Sequence, residues 1–347
     1  MRKRINNLFF MVGMVVVVIM CCTFEVSFPQ LWKDLTRAGW WLVPILLLWL
    51  PLYALNALAW KVIIRGGGSC PAGFGRLLRF TVTGFALNYV TPVGLLGGEA
   101  YKIMILSRFI GVERATSSVV LFSMMHIFSH FWFWLTAVAV YLVLAAAGIL
   151  PMNGLLVVLL SFTVLFCCGG IYLFIRGYKY GLVGKLVHFA SRIPGVRSWG
   201  RRFEEKHRES LQKIDRQIAE FENQNRKAFY TSLFLEYGSR LLQSFEIFFM
   251  LILLDADGCR EGYAVTFLYS FLALAFTSLF ANLLGFMPMQ IGGREGGFAM
   301  SVAQLGMSAE TGLFIGIICR VRELFWIMVG LLLIKIERRH DGEGNNL

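Results

Sequence analysis

The sequence predicts an all-α polytopic membrane protein, with about six full spans plus two re-entrant broken hairpins related as an inverted repeat. Three observations lead there. Of 347 residues, 57% are hydrophobic and 16% charged, against an apolar share of roughly 45–50% in an average soluble domain. Apolar stretches close to the roughly 20 residues that cross a hydrocarbon core run from one end of the chain to the other. Finally, an element containing Asn, Pro, Gly-Gly and Glu occurs twice, in the same order.

Taken in order, Arg2, Lys3 and Arg4 precede an apolar run from Leu8 to Cys22. No small-x-small cleavage site follows, so the run reads as an uncleaved first span rather than a signal peptide. The second span runs from about Trp40 to Trp60, with Lys61 and Arg65 as cytoplasmic anchors. Ser117 to Ala147 forms the third span and Leu155 to Ile175 the fourth, joined by an uncharged turn at Gly148, Pro151 and Gly154. Residues 176–227 are dense in Lys and Arg, with helical apolar spacing at Leu211, Ile214, Ile218 and Phe221, which marks a basic cytoplasmic helical insert. A fifth span covers about Phe229 to Leu254. The last, Leu313 to Ile334, ends in Lys335, Arg338 and Arg339.

Two apolar segments do not fit this series: Phe80 to Leu106, and Tyr263 to Leu305. Each is interrupted midway by helix breakers. If each enters and leaves on one side, only Lys33, Arg37 and Arg260 fall outside, and the positive-inside rule is satisfied with both termini in the cytoplasm. The two mouths then face opposite sides, the pattern of an inverted repeat within a single membrane domain over 1–347. With the short helical stretch after each Glu, the repeat elements are 80–111 and 263–306.

The net charge of +12 is what cytoplasmic loops need for orientation and does not imply nucleic acid. The seven cysteines show no Cys-x-x-Cys pair and no metal-ligand spacing. No cofactor is expected. A phosphate-binding loop, a nucleophile elbow and a His-Glu-x-x-His motif are all absent from the sequence.

The first copy of the repeated element holds Asn88, Pro92, Gly97, Gly98 and Glu99; the second holds Asn282, Pro288, Gly292, Gly293, Arg294 and Glu295. Ile110-Gly111-Val112 closes the first and Leu305-Gly306-Met307 the second. Pro removes a backbone donor and Gly-Gly lets the chain turn, so non-helical backbone is placed at membrane depth, where it is tolerated only inside protein or facing water. Such breaks mark binding sites in transporters. The helix after each break offers unpaired N–H groups suited to an anion such as a lipid phosphate. The bland alternative is that each Glu caps its own helix and the glycines allow close packing. Glu236, Arg240 and Glu246 in the fifth span and Arg320, Arg322 and Glu323 in the last are further intramembrane charges. Glu236 and Arg240, at i, i+4, suggest a salt bridge within one helix. Arg320 or Arg322 is positioned to meet Glu99, Glu295 or a lipid phosphate. His126 and His130 share a face with Ser123, which suits an interhelical hydrogen-bonded stripe better than a metal. In the insert, Leu182 to Ile193 has the composition to lie on an anionic leaflet.

The two Pro/Gly-Gly/Glu elements, the basic middle insert and the span layout resemble the lysylphosphatidylglycerol synthase transmembrane region, a flippase-like family. The resemblance implies lipid translocation across the cytoplasmic membrane. Synthase members add a soluble domain that transfers an aminoacyl group from tRNA to phosphatidylglycerol. Since this sequence ends at Leu347, shortly after its last span, a stand-alone member without that activity is expected. The expected ligand is a membrane lipid with a phosphate-containing headgroup, held at Asn88 to Glu99, Asn282 to Glu295, Arg320 and Arg322, with Glu236, Arg240 and Glu323 in support. The alternatives are a membrane-embedded transferase or hydrolase acting on a lipid phosphate, and an accessory subunit of a lipid-modifying system.

Overall fold

The computed structural model describes residues 28–90, 96–180, 209, 212–213, 216, 225–254, 262–283 and 293–343. Every regular element among them is helical. The expected first span, most of the basic insert, Pro92, Pro288 and Gly292 lie outside the described residues.

Helix α1 (Phe28–Ala38) leads through a 3-10 turn (Gly39–Trp41) and α2 (Leu42–Leu47) into α3 (Trp49–Gly66). The interruptions follow from two prolines. Pro44 and Pro51 lack the N–H groups that would bond the carbonyls of Trp40 and Leu47, and the helix tightens or breaks near each. Residues Leu35–Gly66 nonetheless form one apolar stretch long enough to cross a membrane. After α4 (Phe74–Val90) and α5 (Leu96–Ile110) comes α6 (Val112–Ala146), followed by α7 (Gly154–Tyr180). The second half holds α8 (Arg226–Leu253), α9 (Tyr263–Leu283), α10 (Gly293–Gln304) and α11 (Ala309–Glu343). Asn225 caps α8 by accepting a hydrogen bond from the Ala228 N–H at 3.2 Å.

Four segments among the described residues have the length and composition of membrane spans: Leu35–Gly66, Val112–Ala146, Gly154–Arg176 and Tyr263–Leu283. The chain is a multi-pass membrane protein. Two differences from the sequence expectation have physical causes. Helices α8 and α11 are longer than a span requires, yet their central charges lower their hydropathy; those charges are buried against neighbouring helices. Helix α9, read from sequence as one arm of a hairpin, is by itself long and apolar enough to cross, whereas α5 and α10, at 15 and 12 residues, fall short of the roughly 20 needed.

The packing order repeats. In the first series α3 packs on α4, α4 on α5 and α5 on α6; in the second α8 packs on α9, α9 on α10 and α10 on α11. Across the series α4 packs on α11, α9 on α6, and α3 on α8. Both short helices are followed by a glycine at φ 82°, Gly111 and Gly306, a positive φ that glycine adopts without steric cost.

Three apolar cores result, the smallest of them Trp49, Leu52, Tyr53, Val82 and Trp326. Of the two larger, one gathers Trp60, Leu77, Tyr101, Met125 and Ile327; the other gathers Phe133, Tyr141, Ile247, Leu272 and Ile315. Helices α6 and α11 pass from one core into the other. On α11, Phe314 to Cys319 belong to one core and Ile327 to Ile334 to the other, so Arg320, Arg322 and Glu323 lie at the waist between them.

Candidate functional site

The waist is a network of paired charges. Arg322 is 1% exposed and meets Glu246 of α8 in a fork, Nε to Oε1 at 2.8 Å and Nη2 to Oε2 at 3.3 Å. Its guanidinium also lies 3.8 Å from the centroid of the Trp49 ring, while the Trp49 indole N–H donates to Glu246 at 3.1 Å. One carboxylate of α8 is therefore held by a cation of α11 and a donor of α3. In a low-dielectric interior such charge-assisted bonds are needed merely to offset desolvation.

Glu323 links this pair to the second broken element. It accepts from Arg320 at 3.1 Å, from Arg294 at the start of α10, and from the Tyr89 hydroxyl at 3.4 Å, and it lies 3.6 Å from Arg322. Arg320 also reaches Glu295, with Nε 2.6 Å from Oε1. Of the partners weighed from sequence, then, Arg320 meets Glu295. Close approach makes this possible: Gly312 and Gly316 of α11 lie directly against the α10 backbone and Glu295, where a Cβ on Gly312 would come 2.5 Å from the Ala299 Cα.

The first broken element is built differently. Asn88 at the end of α4 accepts from the Gly98 N–H at 2.8 Å, which satisfies one of the free donors opening α5. Its amide also lies 3.5 Å from Glu99, and Lys102 pairs with Glu99 at 2.9 Å. The Lys102 ammonium sits 4.8 Å over the Phe122 ring and 5.8 Å over that of Trp60. Gly98 has no room for a side chain, because a Cβ would fall 1.9 Å from the Gly84 carbonyl oxygen. Glu99 and Glu295 both stand in first turns, but their carboxylates face Lys102 and Arg320. Asn282 does not repeat the part of Asn88: it is exposed, and its amide donates to the Ser278 carbonyl at 2.7 Å in its own helix.

Tyr89 brings the two copies together. It follows Asn88 in the chain, and its hydroxyl reaches the carboxylate that Arg294 and Arg320 share. Sequence reasoning missed Tyr89, Lys102 and Trp49. The i, i+3 spacing of Glu99 and Lys102 was a readable signal; the other two contacts join residues far apart in the chain.

The expected salt bridge within α8 is not what forms. Glu236 turns to His126, 2.8 Å away, and Arg240 bonds Ser129, His130 and the His126 carbonyl. Both side chains thus join α8 to α6.

Among the described residues the interior charges balance: Lys102, Arg240, Arg294, Arg320 and Arg322 stand against Glu99, Glu236, Glu246, Glu295 and Glu323. Arg322 and Glu323 are closed off, whereas the side chains of Arg294, Glu295 and Glu99 are 15%, 18% and 18% exposed. These three are the partly exposed members of the charged set, Arg294 bonded to Glu323 and Glu99 to Lys102.

The family model for the lysylphosphatidylglycerol synthase TM region matches residues 10–331. No curated protein and no solved structure matches the chain. The match spans both broken elements, the insert and the first two thirds of α11, and the chain belongs to the lysylphosphatidylglycerol synthase TM-region family.

Proposed function

We propose that the protein is a lipid translocator of the cytoplasmic membrane, with both termini in the cytoplasm. In this reading 80–111 and 263–306 are oppositely oriented halves of an inverted repeat, and the headgroup is held between them. The observation that carries the reading is the junction at Tyr89, Glu323 and Arg294, where both broken elements converge on charges buried among apolar helices. Charges at membrane depth are expensive and serve substrate or ion pathways.

The balance of charge narrows the ligand. Every interior arginine of the waist already has a carboxylate, so an anion alone would have to displace one. A headgroup with a phosphate and a cationic or hydrogen-bonding group satisfies both sides: its phosphate on Arg294, its donors on Glu295 and Glu99. The acyl chains stay in the bilayer, and the basic insert rests against the anionic leaflet.

Full-length protein in sealed vesicles containing a fluorescent phospholipid tests this. Wild type should speed exchange between leaflets, and Glu99→Gln and Glu295→Gln should each abolish the effect while remaining monodisperse. Unaltered exchange in both variants would remove these carboxylates from the pathway. Chemical conversion of the lipid in detergent would point instead to an enzyme.

A further inference from the structure

A second polar cluster lies between α6 and α8, and the headgroup site does not use it. Arg240 donates Nε to the Ser129 hydroxyl at 2.9 Å, Nη2 to the His126 carbonyl at 2.7 Å and Nη1 to His130 Nε2 at 2.8 Å. His130 Nδ1 lies 3.1 Å from that same His126 carbonyl oxygen. A carbonyl only accepts, so Nδ1 carries the hydrogen and Nε2 is the lone pair facing Arg240. His130 is thereby held neutral, with no free position for a proton.

His126 is placed the other way round. Its Nδ1 faces a carboxylate oxygen of Glu236, 2.8 Å away, so the hydrogen belongs on Nδ1 and Nε2 is left open; the side chain is 40% exposed. Glu236 is fully buried, and its other oxygen has no hydrogen-bond partner. With Arg240 engaged by α6, the group bonded to this carboxylate is an imidazole, which becomes a cation only on taking a proton.

We propose that His126 and Glu236 form a proton-binding site, loaded at His126 Nε2, that couples proton movement to movement of the headgroup. The coupling rests on the translocation reading above. A proton arriving at Nε2 adds to its lone pair, breaks no bond, and turns the His126–Glu236 hydrogen bond into an ion pair inside the protein. Glu99 and Glu295 are less suited to this task, since each is already paired with a basic side chain, Lys102 or Arg320. Helix α8 links the two sites. Glu236 and Glu246 are ten residues apart on it, about 15 Å along a rigid helix.

The groups that face His126 set its response. Helix α8 presents Glu236 at 2.8 Å and Arg240, which bonds the His126 carbonyl, and α6 itself presents His130, with ring centroids 5.1 Å apart. Helix α5 contributes Lys102, which overlies Phe122 one turn away. Helices α3, α7 and α9 also pack on α6. Within this set His126 is the imidazole with an open nitrogen.

Histidine-labelled full-length protein in detergent micelles, titrated by NMR, tests the site itself. The resonance absent from the His126→Gln spectrum should move with pH in wild type and change its course in Glu236→Gln, while that of His130 stays still. In sealed vesicles with a fluorescent phospholipid, a gradient of one pH unit should shift the steady-state leaflet ratio by up to about tenfold if one proton accompanies each lipid. His126→Gln and Glu236→Gln should lose that shift while eluting as monodisperse protein; if one fails to fold, the other carries the comparison. A static His126 resonance, a gradient response kept in either folded variant, or wild-type exchange that ignores the gradient overturns the proposal. Vesicles in which wild type moves no lipid at all overturn translocation and its coupling, and the NMR titration still decides on the proton site.

Discussion

Arg322 shows what a single residue carries here. It is packed between Glu246, Glu323 and the face of Trp49, and removing it strands a buried carboxylate. Arg322→Met should therefore lower stability by about 3–5 kcal/mol, read as a fall in the thermal midpoint in detergent. Adding Glu246→Leu should restore much of the loss, because a carboxylate without a partner is the larger penalty. Tyr89→Phe isolates the bridge between the copies. It should cost only about 0.5–1.5 kcal/mol and slow leaflet exchange several-fold; exchange at the wild-type rate would detach Tyr89 from the pathway. The sequence made the cost of Arg294, Arg320, Arg322, Glu295 and Glu323 legible, since apolar surroundings flag any charge. Their partners were harder to read, because spacing reports neighbours on one helix, and Glu246 to Arg322 or Tyr89 to Glu323 joins different helices. Glu236 and Arg240 show the same limit: i, i+4 spacing suggested a pair, and the facing helix supplied the partners.

For elements, the helices that hold the expected third and fifth spans were legible to within about five residues. Ser117 to Ala147 is found as Val112–Ala146, and Phe229 to Leu254 as Arg226–Leu253. The missing turns are the polar helix ends, which hydropathy does not register. Helix α9 was merged into a hairpin because the break after it dominated the pattern. Close packing of α5 on α4 sets Gly98 against Gly84, so Gly98→Ala should separate the two helices and cost on the order of 1–3 kcal/mol. Gly296→Ala is the matched control: nothing lies within 4 Å of its Cβ position, and its thermal midpoint should stay at the wild-type value. Gly111 and Gly306, both at φ 82°, should each lose about 1–2 kcal/mol when replaced by Ala.

In the whole molecule, the charge of the loops and the repeated packing order support one orientation. Single cysteines at Lys61 and Arg37, in a background without the native thiols, should react with a membrane-impermeant reagent from opposite faces. Labelling of both from one face would show that Leu35–Gly66 does not cross the membrane. The matched interior charges have a further consequence, for voltage. Carrying one elementary charge through 100 mV takes about 2.3 kcal/mol, and among the described residues the interior cations equal the carboxylates, so that set carries no net charge. The protein's return without cargo should therefore proceed at the same rate in polarised and depolarised vesicles. Any electrical sensitivity of the cycle would belong to what it carries.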